Sequence, residues 1–146
     1  MYAFSIHPLA VVVAAVVSYA IGIIWYSPAA FFRPWARITG ITTESQLKKG
    51  RLVRYVNYGL IFIALLAIAL ATSFFQDNLF VPSISQALVV GFWLWFVGVG
   101  IVTMVTTLTQ SSVDNRVGDS WKLFAINTGY WLIVFLITAM IVFAMS

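Results

Sequence analysis

Residues 56–75 read VNYGLIFIALLAIALATSFF, twenty consecutive positions without Asp, Glu, Lys or Arg. At about 1.5 Å per residue, a helix of that length covers about 30 Å, the thickness of a bilayer's hydrocarbon core. A helix that is apolar all round needs an apolar solvent, so this stretch reads as membrane-spanning. Three further runs are similarly apolar, with no Asp, Glu, Lys or Arg well inside them: about Pro8 to Tyr26, about Gln86 to Leu108 and about Trp121 to Met145. The whole chain is 62% apolar and 8% charged, where an average soluble domain is about half apolar and about a quarter charged. Too few polar residues exist to coat a water-facing surface. The fold class expected is all-α: a polytopic integral membrane protein, a single membrane domain over 1–146. Its four transmembrane helices form two hairpins, joined by a basic loop at 27–55.

The charges give that domain an orientation. Arg33, Arg37, Lys48, Lys49, Arg51 and Arg54 lie between the first two runs, and Arg116 and Lys122 flank the turn between the last two. The N-terminus and the segment from Gln76 to Ser85 have no Lys or Arg. By the positive-inside rule both basic loops are cytoplasmic and both termini outside, in the inner or plasma membrane. The first run has its basic residues after it, the wrong order for a secretion signal, so it is expected to stay as a helix. The net charge of +4, placed this way, points to the membrane surface and not to nucleic acid. Lys48, Lys49, Arg51 and Arg54 are expected to face anionic lipid headgroups, each worth about 1 kcal/mol, although topology alone would require such a cluster. Thr43 and Gln46 have capping-box spacing, and Gln46 to Tyr55 reads as a helical lead into the second span. Gly40 and Gly50 punctuate the loop.

Much chemistry is excluded by residue type. The chain has no cysteine and one histidine, His7, so no metal centre or other cofactor is expected. His7, before Pro8, reads as an interfacial residue. Glu44, Asp77, Asp114 and Asp119 are the only carboxylates, and none has a catalytic partner at motif spacing. An enzyme is therefore the last of three readings. A module that works by association, as a homo-oligomer or an accessory subunit of a membrane complex, comes first. A small oligomeric transporter or channel for a neutral solute or lipid comes second, because no ionisable group lies well inside a span.

Two stretches are richer in information. WYSPAAFFRPW, from Trp25 to Trp35, follows the first run. Trp25 and Tyr26 suit the headgroup level, and Pro28 stops the helix. A short helix over Phe31 to Ile38 would put Phe31, Trp35 and Ile38 on one face and Arg33 and Arg37 on the other, provided Pro34 lies near its start. Trp25, Tyr26, Pro28, Phe31 and Trp35 are thus expected to form an interfacial anchor. The second stretch, KLFAINTGYWL, runs from Lys122 to Leu132. Its Asn127-Thr128-Gly129 repeats the Asn57-Tyr58-Gly59 of the second run, each after a basic residue, which suggests a duplicated hairpin. An amide in hydrocarbon needs partners, and Thr103, Thr106 and Gln110 recur at helical spacing in the third run, with Thr107 beside them. Asn57, Thr103, Thr106, Gln110 and Asn127 are therefore the candidate polar cluster, either glue between helices or a small cavity.

Small residues mark close helix contacts: Ser18 and Gly22 in the first run, Gly91, Gly98 and Gly100 in the third. Trp93 and Trp95 fall on nearly opposite faces, so at least one meets lipid or another subunit. WYSP with its aromatic pair and PW, after a span containing Gly22, together with KLFAINTGYWL, resembles the domain-of-unknown-function family 1761. The resemblance covers nearly the whole chain. It implies four membrane helices, mostly in bacterial proteins, and supplies no function.

Overall fold

The computed structural model describes residues 7–113 and 117–146, apart from the side chains at 46 and 110–113, and no strand occurs among the described residues. The helices are α1 (Pro8–Trp25), α2 (Phe32–Thr39), α3 (Thr43–Lys48), α4 (Arg51–Asn78), α5 (Ile84–Trp95), α6 (Ile101–Val113) and α7 (Val117–Met145), with a π-helical turn at Phe96–Gly100 between α5 and α6. Four continuous spans are long and apolar enough to cross a membrane: Pro8–Trp25, Arg51–Asn78, Ile84–Thr109 and Val117–Met145.

Local sequence explains most of the ends. Pro8 occupies the first position of α1, where no backbone N–H is needed. Pro34 sits in the first turn of α2 for the same reason. The second span is longer than its apolar run and takes in polar residues at both ends, from Arg51 to Asn78. Its end is a Schellman motif: Val81 N–H donates to the Gln76 carbonyl at 3.3 Å and Phe80 N–H to the Asp77 carbonyl at 3.4 Å. Phe80 takes the left-handed conformation there, φ 48°, where glycine is usual.

Two details of the basic loop differ from the sequence reading. The capping box is built by Thr42 and Ser45, not by Thr43 and Gln46. Thr42 Oγ1 accepts from Ser45 N–H at 3.1 Å, and Ser45 Oγ accepts from Thr42 N–H at 3.0 Å. Thr43 is already the first helical residue, so the extended residue before it is the cap. Nor is 46–55 one helix. Lys49 and Gly50 adopt extended backbone with ψ of 131° and 146°, which separates α3 from α4 at the glycine.

In the bundle, α7 is the central helix: α1, α4, α5 and α6 all pack on it, and α1 also packs on α4. The core is made of small side chains, with Ala10, Ala14, Ala15, Ala69, Ala87 and Ala139 all buried. Lipid tails are as apolar as leucine, so helices in a membrane are held by close packing and hydrogen bonds instead of by exclusion of water. Gly91 shows how close: a Cβ there would lie 2.9 Å from both Ala139 Cβ and the Phe135 carbonyl oxygen. Burial is uneven. Within the most apolar window of each span, 39% is buried in the last and 11% in the third. The third span also carries the π turn, and just beyond it Thr103 Oγ1 donates to the carbonyls of Val99 at 2.6 Å and Gly100 at 3.2 Å.

Candidate functional site

The two informative stretches of sequence meet. α1 and α7 run antiparallel, so the C-terminal end of α1 lies beside the first turns of α7 at the basic end of the molecule. Trp25 donates its indole N–H to the Ile126 carbonyl at 3.0 Å, and Tyr26 donates its hydroxyl to Asn127 Oδ1 at 3.0 Å. One turn deeper, Tyr130 donates to the Ser18 carbonyl at 3.4 Å. Deeper again, the hydroxyls of Ser18 and Thr138 lie 3.3 Å apart. A ladder of polar contacts thus closes a seam that is otherwise apolar.

Rings fill the space between these bonds. Tyr26 lies edge-on to Tyr130, with centroids 5.5 Å apart, and to Trp35 of α2 at 5.6 Å. Trp25 packs on Phe31 at 4.4 Å. Gly22 makes the seam possible, since a Cβ on it would fall 2.8 Å from the Tyr130 hydroxyl. Burial, and then the neighbouring Tyr130, push the Tyr26 phenol up to about 12, so it stays a neutral donor at ordinary pH. On the other side of α7, Trp95 donates to the Thr128 carbonyl at 3.1 Å. The short segment Ile126 to Tyr130 is thereby gripped by α1 and α5 together.

The five residues of the expected anchor divide in two. Trp25 and Tyr26 turn their polar atoms onto α7. Phe31 and Trp35 pack against those two rings, and Pro28 is exposed at the turn. Lys48, Lys49 and Arg51 are exposed, and Arg54 is half-buried. Lys48 Nζ lies 3.0 Å from Glu44 Oε1, an exposed pair one turn apart.

Of the five residues of the expected polar cluster, the four whose side chains are described do not join one hydrogen-bonded group among the described residues. Thr103 bonds back to its own helix, Thr106 donates to the Thr103 carbonyl at 2.9 Å, and Thr107 to the same carbonyl at 2.7 Å. A threonine reaches the preceding turn without ordering anything else, which makes that the cheaper solution in a helix. Asn127 is held by Tyr26. Asn57 is exposed, and no hydrogen bond ties its amide to another helix among the described residues. The inner face of α4 is set by Leu65, Ala69, Thr72, Ser73 and Gln76. Eight residues before Leu65, Asn57 is turned about 80° off that face. The side chain of Gln110 lies outside the described residues.

The expected contact positions are also partly used inside the chain. Ser18 and Gly22 serve the α1–α7 seam, Gly91 the α5–α7 contact, and Trp95 the bond to Thr128. Trp93 remains 54% exposed. The sequence reading missed Tyr130 and Thr138 as seam residues. Both stand on one face of α7 within sight of α1, but only the pairing of the two helices reveals it.

Among the described residues no group of three His, Asp or Glu could hold a metal ion. No curated protein and no solved structure matches the chain. The family model described as "Protein of unknown function (DUF1761)" matches residues 9–143, which contain both interlocking stretches, and the chain accordingly belongs to that family as a four-span membrane protein of unknown function.

Proposed function

We propose that the protein works by association within the membrane, as a homo-oligomer whose contact helix is α4. What supports this reading is a seven-residue repeat on the outer face of α4. Asn57, Ala64, Ala71 and Asn78 are spaced by seven, with Leu60, Ala67 and Phe74 three residues after the first three. All seven are exposed. A repeat of this period lets two helices supercoil left-handedly along one seam. Small residues in its middle let two backbones approach closely, which is the main source of helix association in lipid.

Two copies in one membrane share an orientation, so a two-fold axis along the membrane normal would place α4 parallel to its counterpart. Each Asn57 amide then meets the other Asn57, and an amide is both donor and acceptor. Such a bond is worth about 0.6–2 kcal/mol in a membrane. The same surface would serve an accessory role beside a different membrane subunit. Basic loops inside and termini outside complete the reading, with Lys48, Lys49, Arg51 and Arg54 against anionic headgroups.

The native chain has no cysteine, so the test is clean. Ala64→Cys and Ala71→Cys, in membranes under mild oxidant, should each form a disulfide-linked dimer, and Leu70→Cys on the flank of the helix should not. Equal cross-linking at Leu70, or a monomer mass in nanodiscs together with no cross-link, would overturn the reading. Orientation is checked with Ser45→Cys and Ser146→Cys: an impermeant thiol reagent applied outside should label only the second.

A further inference from the structure

At the end of α4 away from the basic loops, three buried oxygens have no hydrogen-bond partner among the described residues: Ser73 Oγ, Gln76 Oε1 and Asp77 Oδ2. They belong to positions i, i+3 and i+4 of one helix, so they share a face within a single turn. Ser73 is 1% exposed and Gln76 5%. Three neighbouring hydroxyls are already engaged. Thr72 Oγ1 donates to the Ile68 carbonyl, and the Ser18 and Thr138 hydroxyls pair with each other. The orientation of the Gln76 amide is also determined: its Nε2 donates to the Ala139 carbonyl at 3.0 Å, which leaves Oε1 as the free end. A flipped amide would set two acceptor oxygens against each other.

The shortfall is therefore specific. Two of the three atoms can only accept, and one of these belongs to a carboxylate. Among the described residues every lysine and arginine lies on α2, on α3 or just after it, or in the first turns of α4 and α7, at the other end of the bundle, so none neutralises it. The distance from Arg54 to Asp77 along α4 is about 35 Å at 1.5 Å per residue. Buried polar groups without partners cost stability, and a carboxylate with one oxygen inside, as in half-buried Asp77, adds to that cost unless something supplies what is missing. Oxygen-only ligands with one negative charge suit a hard cation of low charge. A divalent ion would call for more carboxylates than the one available.

We propose that Ser73, Gln76 and Asp77 form a binding site for a monovalent alkali cation, reached from the membrane face opposite the basic loops. The Schellman motif that closes α4 takes up the Gln76 and Asp77 carbonyls, and the Gln76 amide is held against α7 by its bond to the Ala139 carbonyl. The site faces inward and is independent of the outer seam on α4.

The test is thermal unfolding of the full chain in nanodiscs of zwitterionic lipid, in sodium chloride against choline chloride at equal ionic strength. Sodium should raise the midpoint saturably, by roughly 3 °C at concentrations well above the dissociation constant. Asp77→Asn should abolish the difference, Ser73→Ala should raise the half-saturating concentration several-fold, and Glu44→Gln should leave the shift intact. Identical melting of the native chain in the two salts would overturn the proposal and assign the three oxygens to bound water. A sodium shift that survives in Asp77→Asn would overturn it as well. The native-chain comparison does not depend on any variant folding.

Discussion

Asn127-Thr128-Gly129 and Asn57-Tyr58-Gly59 are the same motif in two helices, and the bundle treats them in opposite ways. Around Asn127 the neighbours are close. Its Oδ1 accepts from Tyr26, the carbonyl before it accepts from Trp25, the carbonyl of Thr128 accepts from Trp95, and a Cβ on Gly129 would lie 3.4 Å from the Trp25 ring. Around Asn57, α4 is exposed from Tyr55 to Ile61, and a Cβ on Gly59 would meet nothing within 4 Å. The difference lies in position and not in composition. The central helix has neighbours on several sides, and a peripheral helix has an outer side. The first motif is used by the fold, and the second is left on the outer face of the bundle.

The contrast can be broken by substitution, with the largest effect expected where α7 is most tightly held. Gly91→Ala pushes a methyl group into backbone of α7 and should destabilise the bundle by about 1–3 kcal/mol, read as a lower unfolding midpoint. Asn127→Leu removes the acceptor of Tyr26 and should cost about 1–2 kcal/mol. Adding Tyr26→Phe should recover part of that loss, since the stranded hydroxyl goes with it. Asn57→Leu should leave unfolding of the monomer unchanged and weaken self-association by about 1 kcal/mol, a factor of roughly five in the dimer dissociation constant. If Asn57→Leu destabilises the monomer as much as Asn127→Leu, the two sites are not different in kind.

Alkali gives a gentler handle on the same seam. The Tyr26 phenol is raised from 10.0 to about 12 in the folded state, so its contribution to stability is complete below pH 10 and is lost as the pH rises through 12. Native protein should therefore lose midpoint between those values faster than Tyr26→Phe. The smallest change is expected from Gly59→Ala. With open space around it, an added methyl group should be neutral or stabilise the helix by up to about 1 kcal/mol. A marked loss of self-association in this variant would extend the outer contact surface beyond the seven-residue seam.

Much of the fold was legible because the bilayer imposes simple demands. Each uncharged run of spanning length became a helix, and Pro8, Pro28 and Pro34 stand where a helix begins or stops. The site was less legible. Trp25 and Tyr26 have the residue types of an interfacial anchor, and nothing in their own stretch says that their donors point across to another helix. Thr103 and Thr106 have the spacing of a shared polar stripe, yet a threonine can satisfy itself on its own helix, and periodicity cannot tell the two cases apart. Gln76 and Asp77 read as the start of a loop, where they would have been solvated. The helix continued to Asn78 and carried Gln76, with part of Asp77, into the interior.

By itself the sequence determined the class of object: four apolar helices, a strong charge asymmetry between the two ends, and the absence of thiolate or multi-histidine metal sites. Length, hydropathy and charge are local quantities, and the membrane reads them locally. Only the tertiary structure decided which face of each helix is inside. That choice made α7 the centre, joined WYSP to NTGYW, left the seven-residue seam of α4 outside and buried three oxygens without partners. The physical reason is that lipid is nearly indifferent to which apolar face it touches, so hydropathy carries little information about facing. Close packing at Gly22 and Gly91 and a few directed hydrogen bonds settle it, and those exist only when two helices stand side by side.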